Sequence, residues 1–139
     1  SATAPAAQLH TTGSVRFAGA GIPGAGKTLT SDANGNATWQ SPSTTVNTKT
    51  ADFTLAATDY GSAIVVTSSG TVTITLPATL ATGFYCQIIQ AGLGQVRVIG
   101  DTGVNVASAL GDYSRTTGSS IGVLVTGTGT AFLSGDTAF

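Results

Sequence analysis

From Thr50 onward the hydrophobic residues come in short alternating runs, and that period excludes most folds. In Val72-Thr73-Ile74-Thr75-Leu76 the apolar side chains fall on one face of an extended chain and the threonines on the other, so one face is buried. Pro77 ends the run. Phe53 and Leu55 alternate about Thr54, and further runs cover 64–66, 84–91, 95–99, 103–106, 120–126 and 130–134. No segment of helical period and useful length intervenes; Ala107-Ser108-Ala109-Leu110 has room for a single turn. Turn chemistry predicts a hairpin at Thr67-Ser68-Ser69-Gly70 and another at Gly92-Leu93-Gly94. Short strands with turns every 8–12 residues or so predict an antiparallel β-sandwich, jelly-roll-like, over residues 50–139.

Upstream the pattern changes. Residues 1–8 read as a disordered or extended start, and 43–49 as a linker, because Pro42 breaks strand pairing and small polar residues follow it. Between them, Gly21-Ile22-Pro23-Gly24-Ala25-Gly26-Lys27-Thr28 satisfies the phosphate-loop pattern G-x-x-x-x-G-K-[ST]. That loop works only after a buried parallel strand and at the start of a helix, where backbone N–H groups converge on the phosphates. Ser14-Val15-Arg16-Phe17 is too short and mixed for such a strand. The residues after Thr28 are rich in Thr, Ser, Asn and Gly, which are poor helix formers. Nucleotide binding is therefore not expected, and Lys27 reads as a solvated side chain beside a glycine turn.

What residues 28–40 do predict is a hairpin. Thr28-Leu29-Thr30 and Ala37-Thr38-Trp39 flank Asp32-Ala33-Asn34-Gly35-Asn36, whose Asn and Gly tolerate left-handed backbone angles. The longer run from Leu9-His10-Thr11-Thr12-Gly13 through Gly26-Lys27-Thr28-Leu29-Thr30 to Thr38-Trp39-Gln40 resembles units that recur in phage tail-fibre shafts. It also resembles the mosaic adhesive trimer fibres of predatory bacteria. The resemblance spans about a quarter of the chain and makes residues 9–42 a fibre shaft unit. It implies a homotrimer, a variable C-terminal tip, and a place on an extracellular or cell-surface fibre or a virion tail fibre. Thr58-Asp59-Tyr60-Gly61 resembles a D-x-G turn of phage fibre and needle tips, which leads into a hairpin ending in Leu-Pro, here Leu76-Pro77.

Composition bears on partners. Charged residues make up 8 % of the chain, against roughly 25 % in an average soluble domain, and the net charge is −1. With five Lys plus Arg against six Asp there is no basic stripe for nucleic acid. No apolar run approaches the ~20 residues of a membrane-spanning helix. Nor does Ser1-Ala2-Thr3-Ala4-Pro5 read as a signal peptide; it reads as a cut within a longer chain. A β surface this poor in charge is unsafe with free edges, and closed assembly of copies is the expected remedy.

Candidate chemistry is sparse. The six aspartates are scattered, and no serine–histidine–aspartate or cysteine–histidine arrangement signals a hydrolase. An enzyme is not expected, and neither is a cofactor or a metal. Asp32, Asn34 and Asn36 imitate the start of a calcium loop, but Ala37 and Ser43 stand where its glycine and bidentate glutamate belong. Cys86, the single cysteine, reads as a buried structural thiol within a strand. Phe53, Phe84 and Phe132 read as core, and Trp39 as a packing residue between chains, with Leu29 buried alongside it.

One stretch differs. Residues 111–120 are polar and combine Asp112, Tyr113 and Arg115 in a loop-like setting. They read either as a solvated loop with an internal Asp112–Arg115 ion pair or as a recognition loop on a rigid sandwich. Arg97 leaves the core face because Val96 and Val98 take it. The expected ligand-binding residues are Asp112, Tyr113 and Arg115, with Arg97 and Tyr60 at subunit clefts. The expected function is a homotrimeric fibre-tip adhesin for a glycan or other envelope component of a target cell. The alternative is a structural fibre or virion decoration domain with no ligand of its own.

Overall fold

The computed structural model describes residues 25–139. It divides into two compact units, with the boundary between Ser43 and Thr44. The expected extended start, His10 and the first part of the fibre-like unit lie outside the described residues.

In the first unit, β1 (Thr28–Ser31) and β2 (Ala37–Gln40) form the expected antiparallel hairpin, with Leu29 opposite Trp39. Thr28 opens a strand here rather than a helix, so the context a phosphate loop needs is missing. The turn is organised by Asp32. Its Oδ1 accepts the backbone N–H groups of Asn34 (2.9 Å) and Asn36 (2.8 Å), and its Oδ2 accepts from the Asn36 side chain (3.1 Å). Those bonds, the Asn36 side chain foremost, hold the Asp32 carboxyl below its ordinary pKa. Gly35 takes a φ of 83°, which a side chain would resist.

The second unit is all-β, but not the antiparallel sandwich that its turns predict. Its strands are β3 (Val46–Lys49), β4 (Phe53–Thr54), β5 (Ala63–Val66), β6 (Val72–Leu76), β7 (Tyr85–Gln90), β8 (Val96–Gly100), β9 (Asn105–Ala107), β10 (Tyr113–Ser114), β11 (Ser120–Gly127), β12 (Thr130–Gly135) and β13 (Thr137–Ala138). They form a six-stranded sheet, β3-β5-β7-β11-β12-β9, and a five-stranded sheet, β13-β10-β8-β6-β4. Among the described residues, five of the nine pairings in this unit are parallel.

From β3 to β8 the chain alternates between the sheets, so each strand lies parallel to the one two before it. This is solenoid-like stacking. Asn47, Ile64 and Ile88 line up across one sheet, and Phe53, Ile74 and Val98 across the other. The predicted hairpins at 67–70 and 92–94 are instead corners that carry the chain from one sheet to the other. The second corner stacks on the first: Gly94 N–H donates to the Ser68 carbonyl at 3.1 Å and Gly92 N–H to the Val66 carbonyl at 2.9 Å. A Cβ on Gly92 would land on the Ser68 carbonyl oxygen, and one on Gly94 on the Gly70 carbonyl oxygen. Glycine is needed there for close approach, a role that looks identical to turn chemistry in the sequence.

Two smaller expectations also change. Val46–Lys49, read as the end of a linker, is an edge strand of the six-stranded sheet. The short helical turn lies not at 107–110 but at Ala57–Asp59. There Asp59 is buried, accepting the Ala56 N–H at 2.9 Å and the Asn47 side chain at 3.3 Å. Asp59 and Gly61 (φ 68°) thus shape the D-x-G segment.

Between the sheets lies one core of Leu, Ile and Val with Phe84 and Cys86. Val72, Ile74 and Leu76 point into it as their alternation predicts. Burial pushes the Cys86 thiol up to about 12, which keeps it neutral. Phe53 packs at the margin of the core. Phe132 departs from expectation, being 49 % exposed on the outward face.

Candidate functional site

The site is built where β8 leaves its corner and β10 returns beside it. In β8, Val96 and Val98 are fully buried, so the intervening Arg97 faces outward. β10 pairs antiparallel with β8 and sets Tyr113 directly opposite Arg97. Arg97 Nε donates to Asp112 Oδ2 at 2.8 Å, and its guanidinium lies 5.2 Å from the centre of the Tyr113 ring. The hydrogen bond to Asp112 raises the Arg97 pKa further. The Asp112 carbonyl accepts the Val98 N–H at 2.8 Å, which fixes the backbone beneath the pair.

Arg115 lies two residues beyond Tyr113, at the same strand parity. It does not pair with Asp112, as one sequence reading has it. Arg115 Nε donates to Asp136 Oδ1 at 2.8 Å, while Ser119 Oγ donates to Asp136 Oδ2 at 2.8 Å. The Ser119 bond first, and then Arg115, hold the Asp136 carboxyl below its ordinary value. Both ion pairs stay open to water, at 43 and 37 % side-chain exposure for Arg97 and Asp112 and 56 and 43 % for Arg115 and Asp136. Exposed pairs of this kind add little to stability, because water screens them and ordering two long side chains costs entropy.

The foundation of this strip is buried and polar. Ser114 points inward, accepts the Val96 N–H at 2.7 Å and donates to Gln90 Oε1 at 2.6 Å. Gln90 Nε2 donates to the Gly92 carbonyl at 3.2 Å, and Gln95 Nε2 to the Ser114 carbonyl at 2.8 Å. Each atom has a partner, so the network locks β10 to the corner instead of destabilising the core. Residues 111–120 are accordingly no free loop: Tyr113 and Ser114 are strand, and the polar residues around them are positioned.

The structure brings Arg97, Asp112 and Tyr113 together, with Arg115 beside them. Tyr60 belongs elsewhere, on the connection between β4 and β5. It is 66 % exposed, meets Phe84 edge-on with ring centres 6.3 Å apart, and borders an open hollow of about 390 Å³ with Ala57, Ala81, Thr82 and Gly83. Sequence reasoning missed Gln90, Ser114, Ser119 and Asp136. Gln90 leaves a trace: it holds the core parity of β7 after Cys86 and Ile88. Asp136 leaves none, because it meets Arg115 only through the pairing of β10 and β13.

Fold and site together define an all-β protein with two sheets of short strands and a polar, aromatic strip along one of them. No protein-family model matches the chain, and no curated protein matches its sequence. Among the described residues no helix is long and apolar enough to cross a membrane. Nor do three or more His, Cys, Asp or Glu side chains gather where they could hold a metal ion.

Proposed function

We propose that this chain is the tip-bearing part of a homotrimeric fibre that adheres to a target cell through surface glycans. The observation that carries the reading is the strip formed by Arg97, Asp112, Tyr113, Arg115 and Asp136. A sugar is bound by hydrogen-bonding groups beside a flat apolar surface, and Tyr113 supplies such a ring with a polar end. The two guanidiniums keep donors beyond the single Nε–H that each spends on its carboxylate. All of these groups stand on strands or hydrogen-bonded turns, so little ordering entropy is lost on binding. The work of such a protein is adhesion without a chemical step, and its place is outside the cell, on a cell-surface fibre or a virion tail fibre.

The rival reading, a structural fibre or decoration domain, draws on the same ion pairs, since each charge already has a partner within the chain. Glycan-array binding separates the two. The adhesin reading expects a defined set of glycans, with binding lost in Tyr113→Ala and Arg115→Ala while assembly persists. Absence of any glycan signal favours the structural domain; binding that both variants retain unchanged moves the site elsewhere, to clefts near Arg97 or Tyr60.

A further inference from the structure

The outward face of the six-stranded sheet is uncharged. Of its six strands only β3 carries a charged residue, Lys49, and that ammonium group lies 5.0 Å from the centre of the Phe53 ring. Register sets Tyr85 of β7 opposite Leu124 of β11, and Leu124 opposite Phe132 of β12. These three are 43, 43 and 49 % exposed, a continuous apolar row across neighbouring strands. Two residues along, the next row runs Val46, Ala63, Gln87, Gly122 and Ser134, with Val46 63 % exposed. Three polar side chains beside this row satisfy one another: the Tyr85 hydroxyl donates to Gln87 Oε1 at 2.7 Å, and Gln87 Nε2 donates to Ser120 Oγ.

We infer that this face, centred on Leu124, is where copies of the chain pack against one another. The inference rests on the homotrimer reading and adds the surface responsible. A membrane or nucleic-acid partner would call for cations, which this face does not offer. The apolar row at its centre offers a sugar no donor besides the Tyr85 hydroxyl, which Gln87 already engages. Identical chains bring identical charges to their interface, so a neutral surface meets its own copy without like-charge repulsion. Five strand spacings of ~4.8 Å and strands averaging about five residues at ~3.3 Å give roughly 24 by 17 Å, on the order of 400 Å² before side-chain relief, the scale of a small interface rather than the ~800 Å² per partner of a standard one.

The test is sedimentation equilibrium of the full chain carrying Leu124→Asp, with Thr75→Asp on the five-stranded sheet as control. Radical footprinting of the unaltered protein runs beside it. The unaltered protein and the control are expected to sediment near three times 13.6 kDa, and Leu124→Asp at 13.6 kDa with the second unit's amides still protected from exchange. In the unaltered assembly Phe132 should label far below the half of Phe139's rate that exposures of 49 and 94 % in a single chain give. A trimer that persists in Leu124→Asp, or Phe132 labelled at that half rate, overturns the inference and leaves the trimer reading standing. An unaltered protein that is monomeric overturns both. Should Leu124→Asp fail to fold, the footprint decides.

Discussion

The hairpin of the first unit and the stacked strands of the second solve the same problem at different ranges. In β1–β2 every described polar bond spans at most twelve residues, and one aspartate organises the turn. In the second unit the decisive bonds join residues from different coils, such as Ser114 to Gln90 and the corner at 91–95 to the corner at 67–71. A lone two-stranded hairpin is marginal in water, whereas stacked sheets enclosing a core are not. Local chemistry can therefore specify the first unit's shape without supplying its stability.

The sharpest way to break the contrast is at the corners. Gly94→Ala would drive a methyl into the Gly70 carbonyl, and we expect it to cost about 3 kcal/mol or more, or to prevent folding. Gly35→Ala, strained by its positive φ, should cost only about 1 kcal/mol and leave the second unit's urea midpoint unchanged. Equal effects of the two would remove the distinction. Next in size is Ser114→Ala. It strands the buried Val96 N–H and Gln90 Oε1 and should cost about 1–3 kcal/mol in the same titration.

The pattern of success in reading the sequence follows from the same contrast. Asp32-Ala33-Asn34-Gly35-Asn36 specifies its turn through neighbours in the chain, so the hairpin was legible. Strand positions were legible too, because alternation in Val72–Leu76 records burial directly. Pairing direction was not. A Gly-rich stretch between two strands fits a hairpin or a corner equally well, and only the stacking of Gly94 beneath Gly70 decides. Phe132 shows the same limit, since parity says that a side chain alternates but not which face it takes. In the site, Asp112 and Tyr113 stood out as a polar cluster, while Arg97 and Asp136 joined it only through strand pairing.

Acidity and alkalinity separate the units less strongly. Asp136 and Asp32 have folded pKa values below their ordinary 3.8, so their stabilising effect is fully present above that pH. It is lost as pH falls through the lower folded values. The effect should show as fading amide protection near Asp32 and around Ser119. Cys86 works at the other end. The unfolded thiol ionises near 9.0 and the folded one only near 12, so the second unit's stability should decline as pH rises through that window. Alkylation of Cys86 at neutral pH should require denaturant. Rapid labelling of the folded protein would contradict its burial.

The smallest expected effect is Asp32→Ala, which removes three accepted hydrogen bonds from an exposed turn. It should loosen β1–β2 in amide exchange without moving the second unit's midpoint.

In the proposed trimer, the uncharged sheet face centred on Leu124 and a hairpin too small to stand alone are completed by further copies of the chain. Sedimentation equilibrium of the unaltered protein over a wide concentration range addresses this most directly. The proposed trimer gives one species near three times 13.6 kDa that resists dilution. A folded particle of 13.6 kDa at every concentration, with β1–β2 ordered in it, would contradict it.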